Sequence, residues 1–266
     1  MNVSARGSVS TAAAQQLIAG RVSLSDVMSA LALARPVFHS EADLQHGFAR
    51  ALWGLDRSVE CRLEVRQTGS DRIEHVDLLC IGPLSRTAVE FKYFTRAWSG
   101  TVGTGPRSEQ YALKSHAAND LARRNFVFDV ERLERFCDRA DQNGLALMVT
   151  NDASLWSEPK ASAKRTRDHE FRLHQGRMLT GTLQWAGGAY KENTRVLRGD
   201  YRLDWRPYTR QPGVGGEFQY LGLFVVGAGG VAAAEPTGPN TSVPTPTLQP
   251  TSPPSAALPP APTPLA

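Results

Sequence analysis

Apolar and polar residues change their spacing along this chain, and the changes mark out its elements. Ser23 with Asp26 three positions on has the spacing of a helix N-cap, and Ser40 with Asp43 repeats it. Behind the second cap Leu44, Phe48, Ala51 and Leu52 share one face, predicting an amphipathic helix that Gly54 closes. Residues 10–35 read as two short helices ended by Pro36. Val59, Cys61, Leu63 and Val65 then alternate with Glu60, Arg62, Glu64 and Arg66, the pattern of a half-buried strand, and Thr68, Gly69 and Ser70 supply its turn. Strands over about 73–81 and 87–94 follow, and the short connection 82–86 predicts an antiparallel hairpin.

Residues 96–108 are rich in Gly, Ser and Thr and read as a mobile loop. Helical spacing resumes at Glu109, runs through Val130, Leu133, Phe136 and Cys137, and ends by Gly144. The almost wholly apolar run 145–150 predicts a strand covered on both faces. Further strands are expected over 177–186, 201–205 and 218–226. The fold class is therefore α/β, a central mixed sheet flanked by helices. Four regions are predicted: an N-terminal helical segment (1–37), a core (38–155), a C-terminal extension (156–227) and a tail (228–266).

Composition sharpens the last boundary. Of 17 prolines in 266 residues, 11 lie between Pro236 and Pro264, and the residues after 227 carry one charge, Glu235. Such a segment has too little apolar surface to offset its ordering entropy and is expected to be disordered. The preceding body holds all 30 Lys and Arg and 25 of the 26 acids, a formal +5 that permits a polyanionic partner without requiring one. Three cysteines (Cys61, Cys80 and Cys137), none within four residues of another, give neither a disulfide framework nor a zinc knuckle and read as buried free thiols. The N-terminus lacks a secretory pattern and no long apolar run exists, so a cytoplasmic location without membrane contact is expected.

The candidate chemistry lies in His75-Val76-Asp77-Leu78-Leu79 and, thirteen positions after Asp77, Glu90-Phe91-Lys92. On a strand Glu90 and Lys92 project to one side while Val89, Phe91 and Tyr93 project to the other, and the hairpin turn folds Asp77 alongside. Two carboxylates suit a hard divalent cation, Mg²⁺ or Mn²⁺, which keeps several waters and takes oxygen ligands. Asp77 and Glu90 would be those carboxylates, the Phe91 carbonyl a third oxygen, and Lys92 the group that orients an attacking water. The bland alternative makes Glu90 and Lys92 a solvated strand face and Asp77 an edge charge.

In this pattern Asp77, Glu90 and Lys92 resemble the PD-(D/E)xK nuclease motif of the restriction-endonuclease-like superfamily, with Val76 where the motif has proline. The order helix, three strands, helix, strand over 40–150 is similar to the family's αβββαβ core. The resemblance implies Mg²⁺-dependent endonucleolytic hydrolysis of phosphodiesters in DNA, in restriction, repair or defence. It also implies a further metal-site acid on the helix before the sheet, a role that Glu41 fits, three residues before Leu44 and seven before Phe48.

Gln45, one turn after Glu41, and His75, two before Asp77, are candidates to touch substrate. The main basic cluster, with Lys160, Lys164, Arg165 and Arg167 at its head, is a candidate track for a nucleic-acid backbone, and Trp156, Phe171 and Trp185 are candidate stacking surfaces. Asp129, Glu131, Arg132 and Arg135 read as the solvated face of a helix. DNA is thus the expected partner, a homodimer is open to the chain, and the proline-rich tail suits protein partners. The competing function class is a module that keeps the fold, leaves the site idle and binds nucleic acid or protein.

Overall fold

A computed structural model describes residues 16–67, 74–160, 162 and 164–226. The turn at Thr68, Gly69 and Ser70, the segment before residue 16 and the tail after 226 lie outside them. The chain opens with a small hairpin, β1 (Leu17–Ile18) and β2 (Val22–Ser23), where a helix was expected. Helix α1 (Leu24–Ala34) starts at the predicted cap, Ser23 Oγ accepting from Asp26 N at 3.1 Å. Helix α2 (Glu41–Leu55) starts the same way, with Ser40 Oγ accepting from Asp43 N at 3.2 Å.

Next come β3 (Glu60–Arg66), β4 (His75–Ile81) and β5 (Arg86–Phe94), an antiparallel meander. A second hairpin, β6 (Trp98–Val102) and β7 (Glu109–Leu113), replaces the expected loop and the expected start of a helix. Its inner side chains explain the difference: Trp98 and Tyr111 are buried in the core, which the Gly, Ser and Thr content of the segment conceals. Helix α3 (Asn119–Phe136) follows, then β8 (Gln142–Thr150), parallel to β5, and a short helix α4 (Ala153–Trp156).

In the C-terminal part, β9 (Met178–Leu183) pairs with β10 (Arg195–Arg202) as a separate ribbon. β11 (Trp205–Arg210) and β12 (Glu217–Val226) join the main sheet instead, giving the six-stranded order β11-β12-β8-β5-β4-β3, mixed because only β5 and β8 run parallel. The expected α/β class, a mixed sheet flanked by helices, is what the chain adopts. Residues 16–226 lie within one compact unit.

Each sheet face has its own core. On one, α1 and α2 press Val27, Met28, Leu31, Leu44, Phe48 and Leu52 onto Leu78, Val89, Phe91, Leu145 and Leu147. Phe48 meets Phe91 edge-on at 5.2 Å, an aromatic pair that adds about 1 kcal/mol to its area burial. On the other, α3 and the β9–β10 ribbon cover Ala88, Ala146, Met148, Leu221 and Leu223. Gly144, expected to end a helix, lies in β8 instead. A Cβ there would stand 2.9 Å from Leu133 Cβ and 3.3 Å from Cys137 Sγ, so its hydrogen is what lets α3 seat this deeply. Strand β3 is the sheet edge and more open than its alternation predicts, with Leu63 51% exposed.

Candidate metal and phosphodiester site

Strands β4 and β5 pair from Ile81↔Arg86 to Leu78↔Val89, and then the ladder stops. Beyond that point β5 presents backbone groups that no strand partner takes, and buried amides must find acceptors elsewhere. Two acids supply them. Asp77 Oδ2 accepts from Phe91 N at 2.7 Å, and Glu41 Oε2, from the first turn of α2, accepts from Tyr93 N at 2.8 Å. The Phe91 carbonyl accepts from Lys92 Nζ at 2.9 Å. The strand divergence therefore gathers Asp77, Glu41 and Lys92 along one stretch of β5.

Glu90 and Lys92 point to the α3 side, where the bland alternative had solvent and the structure has helix. Lys92 Nζ stands 2.7 Å from Asp129 Oδ2, and Arg132 Nη2 bridges Asp129 Oδ1 at 2.9 Å and Glu90 Oε2. Asp129 and Arg132 are thus not part of a solvated face: Asp129 is 6% exposed and turned into the site. The spacing carried the signal, since Asp129 lies three residues after Phe126 and four before Leu133 on the buried stripe of α3. Glu131 and Arg135, one turn apart, do pair on the outside as expected.

Burial sets the electrostatics. It pushes the Glu90 carboxyl up to about 9, with the Asp129 charge adding to the rise and Arg132 opposing it. Burial likewise raises Glu41, against the pull of Lys92 and the Tyr93 amide, and raises Asp129 against Lys92 and Arg132. For Lys92 burial acts downward, yet Asp129, then Glu41 and Asp77, hold its ammonium above the ordinary lysine range. The charges of Lys92, Asp77 and Asp129 act on both Glu41 and Glu90.

The donor set is oxygen only: Asp77, Glu90 and the Phe91 carbonyl, with Glu41 beside them. Among the described residues no three His, Cys, Asp or Glu side chains stand together as a ready-made metal site. Glu90 Oε1 is nevertheless buried without a hydrogen-bond partner, an uncompensated acceptor of the kind that a cation satisfies. Two carboxylates, a carbonyl and retained waters fit Mg²⁺ or Mn²⁺. The Lys92 ammonium on the carbonyl and the Arg132 guanidinium on Glu90 add positive charge.

The remaining candidates take no part in this network among the described residues. Gln45 is half-buried one turn after Glu41, and His75 is exposed at the start of β4, opposite Arg66. Arg165 pairs with Glu170 at 3.0 Å and Arg167 with Asp120 at 2.6 Å, so half of the expected basic track is matched by acids of its own surface. Lys160 and Lys164 are both exposed. Phe171 and Trp185 are not stacking surfaces: both are buried and meet each other edge-on at 5.4 Å, while half-buried Trp156 packs beside Trp205.

No membrane-spanning helix exists among the described residues. Comparison of the whole chain with models of known protein families, with curated proteins and with solved structures returns no match to any of them.

Proposed function

We propose that this protein is a metal-dependent nuclease of the restriction-endonuclease-like kind that hydrolyses phosphodiester bonds in DNA. The observation that carries the reading is the parting of β4 and β5 beyond Leu78 and Val89, where Asp77 and Glu41 accept from the freed amides of Phe91 and Tyr93 and Lys92 donates to the Phe91 carbonyl, with Glu90 next to it on the strand. The succession α2, β3, β4, β5, α3, β8, with the β6–β7 hairpin inserted, supports it as the expected αβββαβ order.

In this reading Asp77, Glu90 and the Phe91 carbonyl hold Mg²⁺ or Mn²⁺, with Glu41 as the further acid. When bound, the ion supplies an acidified water and positive charge toward the leaving oxygen. The chain's own residues do the rest. Lys92, kept protonated by Asp129, donates to a phosphate oxygen or to the attacking water. Asp129 holds the ammonium in place, and Arg132 ties Asp129 to Glu90.

Plasmid, linear and single-stranded DNA incubated with Mg²⁺ test the reading. Cleavage is expected to need the ion and to fall by about 10²-fold or more in Lys92→Ala. Cleavage that survives both EDTA and the substitution would overturn it. The reading as an idle binding module draws on Arg132, whose guanidinium stands on Glu90 where a cation would act. Calorimetric titration of Mg²⁺ or Mn²⁺ separates the two: heat in wild type that vanishes in Asp77→Ala supports the nuclease, and equal negligible heats support the module.

A further inference from the structure

Beside the site a cavity of about 270 Å³ opens on the α3 face of β5. Glu41 and Lys92 line one end of it, so whatever fills it is held next to the groups assigned to the phosphodiester. Its floor is hydrocarbon: Met148, the β8 neighbour of Lys92, with Ala118, Leu121 and Ala122. Its wall is aromatic, the Phe94 ring and the His116 imidazole lying 5.1 Å apart. Asn125 adds an amide.

His116 is fixed there. Thr95 N donates to His116 Nδ1 at 3.0 Å while His116 N donates to the Thr95 carbonyl at 2.8 Å. With Nδ1 occupied as acceptor, the neutral imidazole carries its proton on Nε2 and offers one donor of defined position. An apolar floor, π-faced walls, an amide and one oriented N–H are what a nucleobase asks of a pocket: faces to stack on and edges to hydrogen-bond. The end shared by Lys92 and Glu41 offers the phosphate attached to the base an ammonium that Asp129 holds in place. The volume takes one base with part of its sugar, and a base still paired and stacked in a duplex does not enter a recess of this size.

We infer that this cavity receives a single unpaired base of a DNA strand, seating the adjoining phosphate at Lys92. The inference rests on the nuclease reading for the identity of its ligand and adds that the substrate is single-stranded or locally opened at the point of attack.

The test measures binding of the full chain by fluorescence anisotropy in EDTA, where nothing is cleaved. The probes are a short oligodeoxythymidylate, the same strand with abasic sugars, and a blunt duplex. Wild type is expected to prefer the base-bearing strand by about tenfold over the abasic one, as for one stacked base. Ala122→Phe, which fills the floor, and Leu121→Glu, at a position already 37% exposed, are expected to erase that preference, read as the ratio of base-bearing to abasic binding within each variant because the added carboxylate weakens binding to every DNA. Melting curves identify a variant that fails to fold, and Leu121→Glu decides alone if Ala122→Phe does. Equal binding of the base-bearing and abasic strands by wild type, or a preference that both folded variants retain, overturns the inference. Adding Mg²⁺ separates it from the parent reading. Base-dependent binding without cleavage leaves the pocket standing and sinks the nuclease; duplex cleavage without base dependence does the reverse.

Discussion

Glu90 is where opposing forces in the site meet most sharply. Burial and the Asp129 charge lift its carboxyl to about 9, against Arg132. A glutamate raised from 4.5 to about 9 binds its proton more tightly folded than unfolded, so its contribution to stability is complete below about 4.5 and is lost as pH climbs toward 9. In EDTA the melting temperature is therefore expected to fall with rising pH across that interval, and to fall less steeply in Glu90→Gln. Parallel melting profiles for the two proteins would contradict the assignment. Asp77, Glu90 and Lys92 were legible because strand alternation and a short turn fix their facing. Asp129 and Arg132 were not read correctly, because charges three apart on a helix look solvated unless the stripe through Phe126 and Leu133 is followed through them.

Among the elements, α3 ties the site to the rest of the molecule. Its Glu134 is buried and accepts from Arg198 N at 2.8 Å, Gly199 N at 2.9 Å and Tyr201 Oη at 2.8 Å. These bonds satisfy the amides where the β9–β10 register shifts between Leu197 and Tyr201. Glu134→Ala strands two backbone donors and is expected to cost about 3 kcal/mol, with hydrogen exchange accelerated in β10 before it is accelerated in β8. An unchanged exchange rate in β10 would show that the ribbon holds without the clamp. The caps and stripes of α1 and α2 and the β3–β5 meander were readable from local chemistry. The β6–β7 hairpin and the β10 strand were not, since their burial depends on Trp98, Tyr111, Leu197 and Tyr201 meeting partners far away in sequence.

At the scale of the whole molecule, the formal +5 of the body overstates the charge free to meet a polyanion. Arg165, Arg167 and Arg172 each lie against an acid, as does Arg123, whose buried ion pair with Asp168 at 2.6 Å pins the basic segment to α3. Removing the charges of Lys160 and Lys164 together is expected to lower the slope of log affinity against log salt by about 1 for each phosphate no longer neutralised. Removing those of Arg165 and Arg167 is expected to change it less. The opposite ranking in a salt titration would move the DNA track back onto the arginines. The mixed sheet with helices on both sides was legible in the sequence because the alternating and continuous apolar runs differ so plainly. The joining of β11 and β12 to the far edge was open, because no local signal distinguishes a strand that extends a sheet from one that starts another.

The clasp between Thr95 and His116 closes the excursion made by β6 and β7 at its base. Chain leaves the main sheet and returns to it at one point, while Trp98 and Tyr111 root the hairpin in the core. The exposed tip between β6 and β7 can therefore be lengthened, trimmed or exchanged over evolutionary time, and new specificities tried on it, while its rooted base lets the reactive groups keep their spacing.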